Sequence, residues 1–140
     1  MTIPTPSMED YLEKIYLSIQ QKGYARSVDI ASSLNVLPSS VTKMMQKLDE
    51  EGYGIYERYR GFVLTEKGST VAKKLVEKHE MLEDFLKMIG VQDHNIYEEV
   101  EKLEHYISKE TSLCLSTLID FFEENPSAKK EYLQYRKDKM

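Results

Sequence analysis

The stretch from Ser27 to Leu64 constrains the fold most, because it sets four elements in a fixed order. A short helix-forming run follows Ser27, through Val28, Ile30, Ala31 and Leu34, and stops at Asn35-Val36-Leu37-Pro38. Ser39-Ser40 then cap a longer helix whose apolar residues Val41, Met44, Met45 and Leu48 share one side, and Gly52 is placed to end it. Two β-prone stretches, Ile55-Tyr56-Glu57-Arg58-Tyr59 and Phe62-Val63-Leu64, surround Arg60-Gly61 and predict a small hairpin. Short helix, tight turn, longer helix and hairpin together predict a winged helix-turn-helix.

Helices are expected on both sides of it. Ser7 precedes a run in which Tyr11, Leu12, Ile15, Tyr16 and Ile19 repeat at helical spacing, with Glu9 and Asp10 in the first turn and an end near Lys22-Gly23. After the hairpin, Thr65 caps a long helix through Val71, Leu75, His79, Leu82, Phe85 and Ile89, closing at Gly90. Three more helical stretches run from about Asn95 to Ser108, Thr111 to Glu124, and Ser127 to the end. The expected fold class is therefore mainly α, a winged helix-turn-helix over residues 1–70 followed by an all-helical domain over 71–140, with helix 66–89 as connector.

Composition removes several alternatives. Hydrophobic content of 41% suffices for a packed core, and the net charge of −5 comes from mixed signs, which fits neither a disordered acidic chain nor a histone-like one. Residues 1–70 carry 8 Lys/Arg against 9 Asp/Glu, and the rest 11 against 15, so any DNA-binding field must come from local clustering. No apolar run is long enough to span a bilayer and the amino terminus lacks signal-peptide features, so a cytoplasmic protein without a membrane partner is expected. The single cysteine, Cys114, sits among Leu113, Leu115, Leu118 and Ile119 and is expected as a buried, inert thiol.

The second helix of a helix-turn-helix pair enters the major groove. Here its polar face offers Ser39, Ser40, Thr42, Lys43, Gln46 and Lys47, with no acid until Asp49. Small residues let the backbone approach a duplex, while lysines and a glutamine reach phosphates and bases. Arg58 and Arg60 near the hairpin tip supply the wing. Lys43 and Lys47 alone could equally be a solvated face paired with Glu50 or Glu51; the order of elements weighs against that.

Three further sets of residues suggest a metal. Glu101, Glu104 and His105 at i, i+3 and i+4 share one helical face, Asp10 and Glu13 are paired on the first helix, and His79 is a lone histidine on an apolar-periodic helix. Each set alone reads more simply as a solvated face or a core histidine, and spacing does not decide whether the three meet. As one set, four carboxylates and two imidazoles without sulfur suit hard divalent ions such as Mn²⁺ and Fe²⁺. Their charge of −4 matches two such ions, and without metal the acids repel one another. His94, after Gln92-Asp93, is expected in a solvent-exposed loop as a non-ligand.

Four segments carry a resemblance that covers nearly the whole chain. They are Ser7-Met8-Glu9-Asp10-Tyr11-Leu12-Glu13, Pro38-Ser39-Ser40-Val41-Thr42-Lys43-Met44, Tyr59-Arg60-Gly61-Phe62-Val63-Leu64-Thr65 and Val100-Glu101-Lys102-Leu103-Glu104-His105. In these the chain closely resembles the manganese branch of the diphtheria toxin repressor family of metal-activated repressors. The resemblance implies that Asp10, Glu13, His79, Glu101, Glu104 and His105 form a dinuclear Mn²⁺ site. It also implies a helical metal-binding and dimerisation domain, and a homodimer that represses manganese-uptake genes at a palindromic double-stranded operator. Iron-responsive relatives carry sulfur-containing residues where Asp10 and Glu101 stand, and often a third, SH3-like domain that the shorter branch lacks. Fe²⁺ or other divalent ions are possible activators.

Two other function classes fit less well. A di-iron carboxylate enzyme uses paired Glu-x-x-His motifs, whereas here Glu101 and His105 are four apart and the helix-turn-helix stays unexplained. No enzyme activity and no small organic substrate are expected. A winged-helix regulator governed by an organic effector or a protein partner shares the DNA-binding half and differs in having no response to Mn²⁺.

Overall fold

The computed structural model describes residues 3–57, 59 and 61–140. Its chain divides into two compact units, Met1–Val76 and Glu77–Met140.

The first unit begins with α1 (Pro6–Lys22), which buries Met8, Tyr11, Leu12 and Ile15 at the i, i+3, i+4, i+7 spacing of one helical stripe. Its cap is Thr5, whose side chain accepts from the Met8 amide at 3.2 Å. The expected start at Ser7 is thus about two residues late, because Pro6 fits the first helical position and leaves the cap to the threonine before it. Helix α2 (Ser27–Leu34) ends as the sequence suggests, at Asn35 with φ 55°, and the Val36 amide donates to the Ala31 carbonyl at 3.0 Å. Left-handed Asn35 and that backward bond close the helix in the Schellman manner.

Helix α3 (Pro38–Glu50) turns Val41, Met45 and Leu48 inward. Its cap is Leu37 rather than Ser39-Ser40, which lie inside the first turn behind Pro38. Gly52 at φ 84° and the Tyr53 amide bonded to the Leu48 carbonyl at 2.8 Å end it. Strands β1 (Gly54–Glu57) and β2 (Gly61–Leu64) pair antiparallel with Ile55 opposite Val63 and Tyr56 opposite Phe62. A side chain at Gly54 would collide with the Phe62 ring, so that position requires glycine. The Phe62 amide also bonds the Ala25 carbonyl at 3.0 Å, tying the hairpin to the chain between α1 and α2. One core unites Leu12, Ile15, Ile30, Val41, Met45, Leu48, Tyr53 and Phe62.

Helix α4 (Glu66–Met88) contributes to both units, and Thr65 accepts from the Gly68 amide at 3.1 Å at its start. The second unit continues with α5 (Asp93–Leu103), α6 (Lys109–Glu124) and α7 (Pro126–Lys139). Leu82 and Leu86 of α4 pack on Ile96 and Val100 of α5 in a second core. Helix α7 buries no residue, and Tyr132 donates to the Ile89 carbonyl at 3.3 Å.

Three expectations change here. Helix α5 ends five residues before Ser108, so Glu104 is its C-cap and His105 lies in the turn beyond. His94 is exposed as expected, but in the first turn of α5 rather than in a loop. Cys114 is exposed in this chain, because α6 buries only Ile119 and turns Cys114 outward with Leu113, Leu118 and Phe121. Among the described residues no helix is long and apolar enough to cross a membrane.

Candidate metal centre and nucleic-acid face

Because α3 commits Val41, Met45 and Leu48 to the core, its remaining faces go to solvent. Ser39, Ser40, Thr42, Lys43, Gln46 and Lys47 are all exposed. Met45 fixes the helix from below, its sulfur accepting from Tyr56 Oη at 3.1 Å and Ser27 Oγ at 3.6 Å. The Thr42 hydroxyl donates back to the Pro38 carbonyl at 3.1 Å, leaving its oxygen to accept. Leu37 has no side-chain oxygen to cap the first-turn amides, and no acid lies in that turn. An uncapped, acid-free helix start flanked by serines and followed by two lysines suits an anionic phosphate backbone. Among the described residues neither Lys43 nor Lys47 holds an ion pair, so the pairing with Glu50 or Glu51 is not seen. Arg58 and Arg60 lie outside the described residues.

The second unit gathers the other chemistry. The ring of His79, on α4, lies between two carboxylates: Nδ1 is 2.7 Å from Oε2 of Glu104 and Nε2 is 2.7 Å from Oε1 of Glu83. Glu101 on α5 stands on the Nδ1 side, at 3.7 Å. His105 follows directly after Glu104, with its Nε2 3.7 Å from Glu104 Oε1. Ligand atoms of His79, Glu101 and Glu104 fall within 4.8 Å of one another. Of the four residues the sequence suggests in this unit, His79, Glu101 and Glu104 therefore converge, and His105 touches Glu104.

Burial sharpens the point. The Glu104 side chain is fully buried, His105 is 5% exposed and His79 12%. Oε1 of Glu104 is buried and accepts no hydrogen bond. A buried carboxylate oxygen without a donor costs a few kcal/mol unless something positive meets it. The donor set in this unit is two carboxylates and two imidazoles, oxygen and nitrogen without sulfur. These residues fit a hard divalent ion.

In the first unit Asp10 and Glu13 lie one turn apart on α1, Asp10 half-buried and Glu13 only 4% exposed. Glu83 is absent from the ligand set the sequence suggests, although its spacing of four from His79 puts both on one face of α4.

Comparison with known proteins agrees with this chemistry. Residues 4–62 match the family described as iron dependent repressor, N-terminal DNA binding domain. Residues 65–133 match iron dependent repressor, metal binding and dimerisation domain. An HTH-type transcriptional regulator MntR of Shouchella clausii is 58% identical over 88% of this chain and 86% of its own. The protein of that name from Bacillus subtilis (strain 168) is 53% identical over 95% of this chain and 94% of its own. The solved structure of the manganese regulator SloR superposes with a TM-score of 0.74 at 30% identity, over 86% of this chain. This chain spans about half the length of that protein, 55%.

Proposed function

This chain belongs to the iron dependent repressor family of DNA-binding, metal-binding transcriptional regulators, which are not enzymes, and we propose that within it the chain is a Mn²⁺-activated repressor of manganese-uptake genes. It works in the cytoplasm as a homodimer on a palindromic operator. Residues 1–70 read DNA and residues 71–140 bind metal and dimerise, with helix 66–89 between them. The observation that carries the choice of a hard ion is the buried, donor-less Oε1 of Glu104 beside His79 and Glu101, in a set without sulfur. The naming of the curated relatives and the resemblance to the manganese branch support Mn²⁺ over Fe²⁺.

Asp10, Glu13, His79, Glu101, Glu104 and His105 are the proposed ligands, for two ions per subunit. Bound Mn²⁺ supplies divalent charge that offsets the mutual repulsion of the four carboxylates. Asp10 and Glu13 belong to the DNA-binding half and the other four to the metal-binding and dimerisation half, so ligation by all six ties the halves of each subunit together. A dimer must present its two recognition helices to half-sites about one helical turn apart, or a multiple of that. Halves left free to move lose affinity through the entropy of alignment, and joint ligation selects a DNA-competent arrangement that the apo dimer already samples.

On the DNA side, Lys43, Lys47, Arg58 and Arg60 meet phosphates, Ser39 and Ser40 allow close approach, and Thr42 and Gln46 face the bases. The test is a fluorescence-anisotropy titration of an operator from upstream of a metal-transporter gene, against a series of divalent ions. Mn²⁺ should tighten binding by roughly 5–150-fold, the usual range of coupling between two ligands. Equal affinity with and without every divalent ion would leave the winged-helix regulator with an organic effector as the better reading.

A further inference from the structure

Histidine offers a metal one nitrogen at a time, and a second partner decides which. In this chain that partner is visible. Oε1 of Glu83 lies 2.7 Å from Nε2 of His79, so once Nδ1 is committed to an ion, the hydrogen left on Nε2 has an acceptor in place. Nδ1 faces the other way, toward Glu104 at 2.7 Å and Glu101 at 3.7 Å. Tyr97 packs edge-on against the imidazole, with ring centroids 5.6 Å apart at 61°, and limits rotation of the ring. Glu83 is 30% exposed, whereas Glu104, on the Nδ1 side, is fully buried and keeps an oxygen with no donor. The two carboxylates therefore do different work, the buried one on the metal side and the half-exposed one behind the ring.

We propose that Glu83 is a positioning residue, not a ligand: by accepting from Nε2 it fixes His79 so that Nδ1 is the nitrogen presented to the divalent ion. The proposal rests on the metal reading above. It adds a residue that neither the donor spacing nor the clustering of Glu101, Glu104 and His105 identifies. Because Glu83 and His79 share α4 at i and i+4, the backbone of one helix sets their contact, and it is available before any ion arrives.

The test uses the full chain with Mn²⁺ for affinity and stoichiometry, and an NMR-active cadmium isotope to report the bonded nitrogen. In the parent, cadmium should couple through His79 to the carbon-bound hydrogen between the two nitrogens and not to the one beside Nε2, the signature of Nδ1 ligation. Glu83→Ala should weaken Mn²⁺ binding about 10–100-fold with the same number of ions bound, the usual effect of losing an outer partner, and should lose the pure Nδ1 signature. Glu83→Gln, whose amide oxygen still accepts from Nε2, should recover most of the affinity and the signature. Parent-like affinity in Glu83→Ala, Nε2 ligation in the parent, or loss of one bound ion in both variants would each overturn the proposal, the last making Glu83 a ligand. His79→Ala separates the two levels. If it too binds Mn²⁺ like the parent, the metal reading fails and this inference with it; if it binds weakly while Glu83→Ala does not, only the inference fails.

Discussion

Nδ1 of His79 stands 2.7 Å from Oε2 of Glu104, a fully buried carboxylate whose other oxygen accepts no hydrogen bond. The pair joins α4 to the end of α5 inside the second unit. An acid buried to that degree is costly in a protein without a cation to meet it. Glu104→Ala should therefore lower Mn²⁺ affinity by more than about a hundredfold, since even residues that only orient ligands are worth about 10–100-fold. Isothermal titration calorimetry checks this. Retained affinity would mean that Glu104 is a structural partner of His79 alone.

Metal choice should be carried by the first helix. Asp10→Met replaces a charged oxygen ligand with a softer thioether, so the ratio of Fe²⁺ to Mn²⁺ activation should rise. Operator binding under anaerobic conditions with each ion gives the ratio. An unchanged value would remove Asp10 as a selectivity ligand.

For DNA, Lys43→Ala and Lys47→Ala should each weaken binding to every sequence and lower the log–log salt slope by roughly one. Thr42 and Gln46 substitutions should instead change which sequence is preferred. Both lysines are exposed on α3, so folding should be unaffected. Unaltered slopes would take them off the interface.

How far this site could be read in advance depends on whether local signals reach it. Asn35 and Gly52, in the left-handed region, mark the ends of α2 and α3, and the inward stripe of Val41, Met45 and Leu48 leaves the DNA-facing residues outside. Those are short-range rules, and they were legible. The end of α5 was not, since Glu101-Lys102-Leu103-Glu104-His105 contains no glycine or proline to stop a helix. Glu104 keeps helical angles of φ −59° and ψ −27° while its side chain faces His79, 25 residues earlier, and that contact is tertiary. Cys114 departs from the expected burial for a related reason. Apolar neighbours in sequence suggest burial, but in this chain most of the apolar face of α6 stays in solvent.

Alkaline stability offers a separate check on the first unit. Burial, with the charges of Glu51 and Glu9 adding to it, raises the Tyr53 phenol above 10.0, and burial raises Tyr11 as well. Above pH 10 the unfolded chain loses these protons while the folded chain keeps them, so stability is full below that pH and falls as pH rises through the folded values. Thermal melts across that window should show the decline. Tyr53→Phe should flatten it in part, leaving the share of Tyr11. An identical slope in the variant would mean that Tyr53 ionises in the folded chain as readily as in the unfolded one.

The central claim, that metal and operator act on one equilibrium, is tested most directly by closing the binding cycle. Mn²⁺ affinity is measured by calorimetry with and without saturating operator, and operator affinity by anisotropy with and without Mn²⁺. Linkage requires the two ratios to be equal. The account predicts that operator tightens Mn²⁺ binding by the same factor by which Mn²⁺ tightens operator binding, and that this factor collapses toward one in Glu104→Ala. Mn²⁺ binding that is indifferent to operator, in a protein whose operator affinity is indifferent to Mn²⁺, would contradict it.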